Sequence, residues 1–388
     1  MFSKRVRNVR PSGTVMLSNK VKRLKKQGLD ILSFTLGEPD FTTPSHITEA
    51  CKKALDQGMT HYTSSLGMPE LRQAIARYAR TKNGIDAVEE NVILMPAKFA
   101  LMATLQAFIN PGDKVIIPNP GWVSYGPMVQ MAGGTPSPVK MRYNDGWDWH
   151  PEDIRAHITS NTKAIILNTP SNPMGSVMDE KRIREIADIA LEHDLLVISD
   201  EIYENLIYEG THFSMASMEE MADRTITVSG FSKSFAMTGW RVGWIVANEE
   251  TIKMLNKIMQ HSLTCIPPFI QMGALAALEN GDECVNRMKD EFRNRRDMII
   301  PRLNEIDGIS CEKPKGAFYA FFKMDIGFNS MDLAEMLLYK AHVAVTPGSA
   351  FGSAGSNYIR MSYAASMENL EEGVSRIKKF SDEITKKT

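Results

Sequence analysis

A lysine in a short glycine-bearing segment is the residue best suited to covalent chemistry. Lys233 lies among small, hydroxyl and apolar residues in GFSKSFAMTGWRVGW, residues 230–244. A lysine amine attacks a carbonyl group only when burial or neighbouring cations lower its pKa. Arg241 would be such a cation, and it could also bind a phosphate through two hydrogen bonds. The alternative is a solvated lysine beside an arginine in a salt bridge, which the apolar residues on both sides disfavour.

A carboxylate ends an apolar run in LLVISDEIYE, residues 195–204. Asp200 is thereby placed at the carboxyl end of a predicted strand, the edge where open α/β sheets bind ligands. A buried carboxylate needs a cationic partner, and a protonated pyridine nitrogen would serve. Tyr203 could bond an oxygen on such a ring. An aspartate that caps the following turn explains this segment equally well.

The segment ILNTPSNPMGSV, residues 166–177, is a predicted strand that ends in a turn rich in Pro, Gly and Asn. Asn172 could donate a hydrogen bond to a ring oxygen, or it could stabilise its own turn. For this segment taken alone the turn is the favoured interpretation.

Short β-rich runs alternate with amphipathic helical stretches around these residues. Strands are predicted at 91–95, 114–118, 163–168, 196–200, 225–229 and 242–247, and helices at 99–109, 151–157 and 180–193. Several strands are apolar throughout, as expected for strands covered on both faces. The pattern predicts a mostly parallel sheet flanked by helices.

The regular alternation of strands and helices ends after about residue 251. The remaining predicted elements are helices at 251–259, 283–305 and 368–384 and strands at 317–322, 343–346 and 358–362. We therefore predict a large domain of residues 47–285. A smaller α/β domain would combine residues 1–46 with residues 286–388.

Taken in order, the three chemistry-bearing segments resemble the class I/II aminotransferase family of fold type I. The resemblance continues across nearly the whole chain, in LGEPDFTTP (36–44), THYTSSLGMPELR (60–72), NPGDKVIIPNPGWVSY (110–125), KGAFY (315–319), PGSAFG (347–352) and YIRMSYA (358–364). The sequence is most similar to the prokaryotic aspartate and aromatic aminotransferases. The resemblance implies a large domain with a mostly parallel seven-stranded sheet flanked by helices, plus a smaller α/β domain.

The resemblance also implies a cofactor, pyridoxal 5′-phosphate, bound to Lys233 as a Schiff base. Asp200 would pair with its ring nitrogen, while Tyr203 and Asn172 would contact its ring oxygen. Trp122 would stack on the ring, for which an indole is suited; the alternative is a core tryptophan. The implied phosphate ligands are Ala97, Lys98, Ser232 and Arg241 and, across a homodimer interface, Tyr62. The implied ligands of the substrate are Arg360 at its α-carboxylate, the backbone of Gly37, Trp122 and Asn172.

Two positions depart from the family pattern. The phosphate-binding helix start usually reads Gly-Ala-Lys-Gln, and here it reads Pro96-Ala97-Lys98-Phe99. Proline suits a first helical turn but has no N–H, so phosphate would be bound through Ala97 and Lys98. Met174 replaces a threonine in the Asn-Pro-Thr-Gly turn, and we expect it to change only local packing.

The predicted reaction is a ping-pong transfer of an amino group between an L-amino acid and a 2-oxo acid. In it the freed Lys233 amine removes the Cα proton. Aspartate, with glutamate and 2-oxoglutarate as the partner pair, is the first choice of substrate, and an aromatic amino acid is the second. A carbon–sulfur β-lyase or an aminocyclopropane-carboxylate synthase of the same fold is the enzymatic alternative.

Two other function classes are disfavoured. A non-catalytic regulatory protein would not need Lys233, Asp200 and Arg360 together. A nicotinamide dehydrogenase would need G-x-G-x-x-G after a strand, and GSAFGSAG at 348–355 has the wrong spacing.

The overall composition is that of an ordinary globular protein, with 43% apolar and 23% charged residues. Its 45 Lys and Arg nearly cancel 46 Asp and Glu, so we expect neither nucleic acid nor a membrane as partner. The four cysteines are scattered, which argues against disulfides and a thiolate metal site. The basic N-terminus is followed by no apolar stretch of signal-peptide length, and we expect a cytoplasmic protein.

Overall fold

The computed structural model describes residues 2–386. The strands are β1 (Leu32–Ser33), β2 (Val92–Leu94), β3 (Lys114–Asn119), β4 (Thr135–Lys140), β5 (Thr162–Asn168), β6 (Leu196–Asp200), β7 (Thr225–Gly230), β8 (Gly243–Val246), β9 (Ile309–Cys311), β10 (Tyr319–Met324), β11 (Val343–Ala344), β12 (Thr346–Pro347) and β13 (Tyr358–Ser362). The helices are α1 (Lys4–Arg7), α2 (Gly13–Lys26), α3 (Ser45–Asp56), α4 (Pro69–Asn83), α5 (Ala97–Phe108), α6 (Tyr125–Ala132), α7 (Pro151–His157), α8 (Glu180–Glu192), α9 (Phe231–Ser234), α10 (Glu249–Gln260), α11 (Pro268–Asn280), α12 (Asp282–Asn304), α13 (Ser330–Lys340) and α14 (Met367–Thr385).

The largest sheet has seven strands in the order β2-β8-β7-β6-β5-β3-β4. Strands β7, β6, β5, β3 and β4 pair in parallel, and only β8 runs against its two neighbours. This confirms the predicted fold class. Because the carboxyl ends of β5, β6 and β7 lie at one edge of the sheet, the residues that follow them are brought together there.

The sheet is buried on both faces, as its apolar strands predict. Along β5, Ala164 and Ile166 pack into one core cluster, whereas Ile165 and Leu167 pack into another. Successive residues of a strand point to opposite faces, so Ala164 and Ile166 lie on one face of the sheet and Ile165 and Leu167 on the other. Burying a side chain such as Ile166 stabilises the fold by ~1.5–3 kcal/mol.

A second, antiparallel sheet has the order β12-β13-β10-β9. Most of its apolar residues form a separate core with α12, α13 and α14, whereas Phe321 packs into a core of the large sheet. Strand β1 pairs in parallel with β11, which ties the N-terminal segment to this part of the chain. Within α12, Val285 packs into the large-sheet core and Met288 into the second core. The division into domains at residue 285 stays a prediction.

The predicted elements differ from the structure mainly at the sheet margins. Strand β4 was not predicted, because Pro136 and Pro138 read against a strand; β4 lies at the sheet edge, where proline is tolerated. The predicted strand 343–346 is two strands that pair with different partners. The predicted strand 317–322 begins two residues later, at Tyr319. Among residues 2–386 no helix combines the length and the apolar character that a membrane crossing needs.

Candidate active site

The carboxyl ends of β5, β6 and β7 and the start of α5 open into one cavity of about 470 Å³. Residues 14–22 of α2, the segment 35–37 and β13 complete its wall. The predicted site residues that line the cavity are Gly37, Ala97, Lys98, Trp122, Asn172, Asp200, Tyr203, Ser232, Lys233, Arg241 and Arg360. The remaining predicted residue, Tyr62, does not line it, and 84% of Tyr62 is exposed.

Lys233 lies on the short helix α9, directly after β7 ends at Gly230. Its Nζ donates a hydrogen bond to the carbonyl oxygen of Gly37 at 2.5 Å. Burial, the largest cause, and the charges of Arg241, Lys98 and Arg360 together lower the pKa of Lys233 to about 8, against the opposing effect of Glu38. A substantial fraction of the amine is therefore neutral near pH 8, as a nucleophile or a proton carrier requires.

Asp200 ends β6, and only 5% of it is exposed. Tyr125 donates its hydroxyl to Oδ2 of Asp200 at 2.7 Å, and the N–H of Ile202 donates to Oδ1 at 3.4 Å. Burial raises the pKa of Asp200 to about 6, although the bond from Tyr125 opposes the rise. A cationic N–H in the cavity would stabilise the charged carboxylate, which is the property that a pyridinium partner needs.

Arg360 on β13 is 2% exposed and lies at another side of the cavity. It donates to Oδ1 of Asn172 at 3.1 Å and to the carbonyl oxygen of Thr35 at 2.6 Å. Its guanidinium also lies 4.6 Å from the ring centre of Tyr319. Its Nε is buried without a hydrogen-bond partner, and burial lowers its pKa. A buried donor without a partner is costly, and a substrate carboxylate would satisfy it.

The start of α5 and two cations form a further part of the wall. Helix α5 begins at Ala97, so Pro96 occupies the N-cap rather than the first helical turn that the sequence predicted. Burial lowers the pKa of Lys98, and the charge of Arg241 lowers it further. Two cations that lie close together beside a helix N-terminus repel each other. A phosphate dianion bound between them would stabilise both charges and the N–H groups of the helix. The Nζ of Lys98 also lies 5.0 Å from the ring centre of Trp122.

Three further polar residues complete the site, and the sequence did not single them out. The hydroxyl of Tyr319 is 2.7 Å from that of Tyr203, and a Cβ at Gly37 would lie 2.6 Å from it. Asn168 donates to the carbonyl oxygen of Asp200 at 2.9 Å and accepts from the N–H of Asn172 at 2.9 Å. Tyr125, described above, is the third. For Asn168 a signal existed, because it ends β5 in register with Asp200 at the end of β6.

Met174, the second departure from the family pattern, is buried in the core that β5 forms on one face of the sheet. That the change from threonine affects only local packing stays a prediction.

The cavity fits pyridoxal phosphate group by group. Lys98, Arg241 and the amides at the start of α5 suit the phosphate, Asp200 suits a protonated ring nitrogen, and Lys233 suits the aldehyde. The unpartnered Nε of Arg360 is left for a substrate carboxylate.

Known proteins that are similar to this chain are aminotransferases. The family described as aminotransferase class I and II matches residues 30–377. An aspartate aminotransferase of Pyrococcus abyssi is 46% identical over 90% of this chain and 91% of that protein. An aromatic-amino-acid aminotransferase 2 of Thermococcus litoralis is 42% identical over 91% of this chain and 92% of that protein. Among solved structures, the aspartate aminotransferase of Thermus thermophilus with maleate superimposes with a TM-score of 0.95, at 39% identity, over 98% of this chain and 99% of that one.

These matches confirm the predicted reaction class and the predicted cofactor. Together with the cavity, they show that the chain belongs to the class I and II aminotransferase family, whose members use pyridoxal phosphate.

Proposed function

We propose that this aminotransferase moves the amino group of aspartate to 2-oxoglutarate, with glutamate as the other amino acid of the cycle. The observation that carries the proposal is one cavity that joins a lysine of lowered pKa to a cationic anion site and a buried arginine. A transaminase needs these three parts together, because the cofactor phosphate, the reacting carbonyl and the substrate carboxylate must be bound at once.

Each part has a proposed role in the reaction. Arg360 binds the α-carboxylate through its free donor and orients Cα toward Lys233. The neutral Lys233 amine would take the proton from the substrate Cα and deliver it to the cofactor carbon that carries the aldehyde. Asp200 keeps the ring nitrogen protonated, and Trp122 packs on the ring face. The bound cofactor supplies an electron sink that no side chain offers.

Polar residues of α2 support a dicarboxylate as substrate. The helix lines the cavity with Thr14, Ser18, Asn19 and Lys22, and Lys22 adds a cation to this wall. Arg360 would bind one carboxylate and the α2 wall the other. The relatives named aspartate aminotransferases, and the Thermus structure that was solved with the dicarboxylate maleate, agree with this assignment.

An aromatic substrate is the second candidate. The cavity is also lined by Trp122, Tyr125 and Tyr319, and an aromatic-amino-acid aminotransferase is among the similar proteins. One pocket contact discriminates between substrates by only about 1–3 kcal/mol, so a single enzyme can use both classes at different rates.

The proposal includes a homodimer in the cytoplasm. Tyr62 is exposed and lies outside the cavity of its own chain. A tyrosine that binds the phosphate in the partner subunit would be placed in this way.

The test uses purified holoenzyme and one amino acid at a time. A transaminase produces one 2-oxo acid per site and converts the bound cofactor to its amine form, which addition of 2-oxoglutarate reverses. A β-lyase instead releases oxo acid continuously while the cofactor keeps its aldehyde form. Borohydride reduction and peptide mapping should label Lys233. If no amino acid converts the cofactor, the proposed function is wrong.

Lys22 provides a prediction about substrate choice. We expect Lys22→Met to raise KM for aspartate about tenfold, the value of one charge-assisted contact of ~1.4 kcal/mol, and to change KM for tyrosine little. Lys25→Met is the matched control, because Lys25 is exposed on the same helix and does not line the cavity. Equal effects on both substrates would contradict a distal carboxylate site at α2.

A further inference from the structure

A glycine-rich segment, residues 348–355, lies between the large sheet and the strand that carries the substrate arginine. It consists of two short 3₁₀ turns, Gly348–Phe351 and Ser353–Gly355, between β12 and β13. Its sequence, GSAFGSAG, has the wrong spacing for a dinucleotide, and none of its residues lines the cavity. Its contacts on both sides indicate a different role. We call it the 348–355 segment.

Asn119, the last residue of β3, joins the large sheet to this segment. It is 7% exposed, and its Nδ2 donates to Oγ of Ser353 at 3.1 Å. Its Oδ1 accepts from the N–H of Ala354 at 3.1 Å. Two positions further on, the N–H of Gly121 donates to the carbonyl oxygen of Phe351 at 2.8 Å. One buried amide therefore supplies two of these three hydrogen bonds.

Gly352 allows the 348–355 segment to approach Asn119 this closely. Its φ is +131°, a backbone conformation that residues with a side chain rarely adopt. A Cβ at Gly352 would lie 2.2 Å from Oδ1 of Asn119. The close contact thus requires a residue without a side chain at this position.

Phe351 carries the contact onward to Arg360. Cζ of Arg360 lies 4.9 Å from the ring centre of Phe351 and 4.6 Å from that of Tyr319. Phe351 is 4% exposed, so its contact with the guanidinium is shielded from water. Such contacts are attractive and restrict the orientation of the guanidinium. The two rings hold it with its Nε as a donor that has no partner among the described residues.

The ends of the 348–355 segment are held by contacts that do not involve Asn119. The N–H of Ser349 donates to Oγ of Ser330, the first residue of α13, at 3.2 Å. A Cβ at Gly348 would lie 2.3 Å from the carbonyl oxygen of Gly355, and one at Gly355 would lie 2.2 Å from that of Gly348. The two ends are therefore closely packed on each other. Loss of the Asn119 side chain would release the middle of the segment, which includes Phe351.

We propose that Asn119 is a positioning residue of the substrate site, which holds the 348–355 segment so that Phe351 packs on Arg360 and its Nε stays free for the α-carboxylate. The inference rests on the proposed function, because it assumes that Arg360 binds this carboxylate. Asn119 does not line the cavity, so it acts through Phe351.

Asn119→Ala tests the proposal, because it removes both side-chain hydrogen bonds to the segment. We expect KM for aspartate and KM for 2-oxoglutarate to rise together by about three- to tenfold, the effect of one weakened contact between a cation and a ring. Both should rise, since both substrates present an α-carboxylate to Arg360. The Kd for pyridoxal phosphate should change little, because the proposed ligands of its phosphate and ring nitrogen lie on other elements.

Phe351→Leu shows whether the effect passes through the aromatic ring. It removes the ring and keeps an apolar side chain, so KM for both substrates should again rise. If Asn119 acts through Phe351, adding Asn119→Ala to Phe351→Leu should raise KM little further. Effects that multiply fully in the double variant would overturn the proposal.

Asn91→Ala is the matched control. The amide of Asn91 also joins two segments, since it donates to the carbonyl oxygen of Ala247 at 3.1 Å and accepts from the N–H of Val88 at 2.9 Å. Asn91 does not line the cavity, and its loss should lower the thermal midpoint without a change in KM. A KM in Asn119→Ala no higher than in this control would overturn the proposal. Equal weakening of cofactor and substrate binding would overturn it too, since it would show a general structural role.

A milder variant decides the question if Asn119→Ala does not fold. Ser353→Ala removes only the bond to Nδ2, at an exposed position. A KM for both substrates raised by about twofold or more would support the proposal, and an unchanged KM would overturn it. Failure of the proposed function is distinguishable, because no amino acid would then convert the cofactor of the wild-type holoenzyme to its amine form.

Discussion

The hydroxyl of Tyr125 is the side-chain group that holds Asp200 in place before any cofactor binds. It donates to Oδ2 at 2.7 Å in a site where burial disfavours the charge. A hydrogen bond to a buried carboxylate stabilises the charged form and so opposes that effect. The bond joins residues that lie 75 positions apart, and no local pattern in the sequence predicts it.

Tyr125→Phe should therefore raise the pKa of Asp200 above about 6. At acidic pH more of Asp200 would then be protonated, and the cofactor would bind more weakly. We expect the Kd for pyridoxal phosphate to rise about three- to tenfold at pH 6.5, which corresponds to the ~0.7–1.4 kcal/mol of a typical lost hydrogen bond, and less at pH 8.5. Fluorescence titration of the apoenzyme measures it. A loss of affinity that is equal at both pH values would contradict this role of Tyr125.

His212 makes a prediction for stability as a function of pH. Its pKa in the folded state is raised above 6.5, since the charges of Glu201 and Glu204 outweigh the lowering caused by burial. Its stabilising contribution is present below pH 6.5 and is lost as the pH rises through the folded pKa. His212→Gln should thus lower the free energy of unfolding more at pH 5.5 than at pH 9 in urea titrations. A destabilisation that does not change with pH would show a packing role.

The sequence predicted the site residues best where the residue type and the short motif around it indicate the chemistry. Lys233 and Asp200 were predicted from their own segments and Arg360 from the family resemblance, and the structure brings all three to one cavity. Tyr125 and Tyr319 were missed because their partners, Asp200 and Tyr203, lie far away in the chain. Such contacts depend on how the sheets pack, which the spacing of residues does not record.

At the scale of elements, β8 and the start of α5 are held in close contact by a glycine. A Cβ at Gly243 would lie 2.8 Å from the carbonyl oxygen of Ser229 and 3.1 Å from the N–H nitrogen of Ala97. The three nearest atoms are all backbone atoms, so no flexible side chain can move aside to relieve these contacts. The absence of a side chain at Gly243 therefore sets the position of the anion-binding end of α5.

Gly243→Ala should displace the start of α5 and raise the Kd for pyridoxal phosphate by at least about tenfold, with a lower thermal midpoint, as overpacking typically costs 1–3 kcal/mol. Gly126→Ala is the control, because its Cβ would meet only Ile117 Cδ1, at 3.7 Å, inside a helix. Calorimetry and cofactor titration give both quantities. Normal affinity in Gly243→Ala would show that α5 is positioned by other contacts.

Elements were predicted well where their strands are apolar throughout and poorly where proline interrupts them. Strands β5, β6 and β7 are buried on both faces, and their sequences predicted them closely. Strand β4 was missed because its prolines read against a strand. An edge strand tolerates proline, because it needs backbone hydrogen bonds on one side only. Proline in a sequence shows that a residue cannot donate a hydrogen bond, but it does not show where the sheet ends.

At the scale of the whole molecule, the proposed homodimer would combine Tyr62 of one subunit with Lys233 of the other in one site. Lys233→Ala and Tyr62→Ala should each be weakly active or inactive alone. Refolded as an equal mixture, they should recover about a quarter of wild-type activity, because half of the dimers are hybrids with one intact site. Recovery is measured against each variant refolded alone. Without recovery, Tyr62 does not act across a homodimer interface.

Asp200 lines the cavity whereas the next residue, Glu201, does not, and this opposite orientation has a consequence for insertions and deletions. Because the side-chain period of a strand is two, a shift of β6 by one residue would exchange these carboxylates between the coenzyme and the histidine behind it. The carboxylate of Asp200 would then no longer face the ring nitrogen of the coenzyme, and that of Glu201 would no longer face His212. A single-residue insertion within Leu196–Asp200 should therefore abolish coenzyme retention, whereas one in the exposed turn at Glu209–Thr211 should be tolerated.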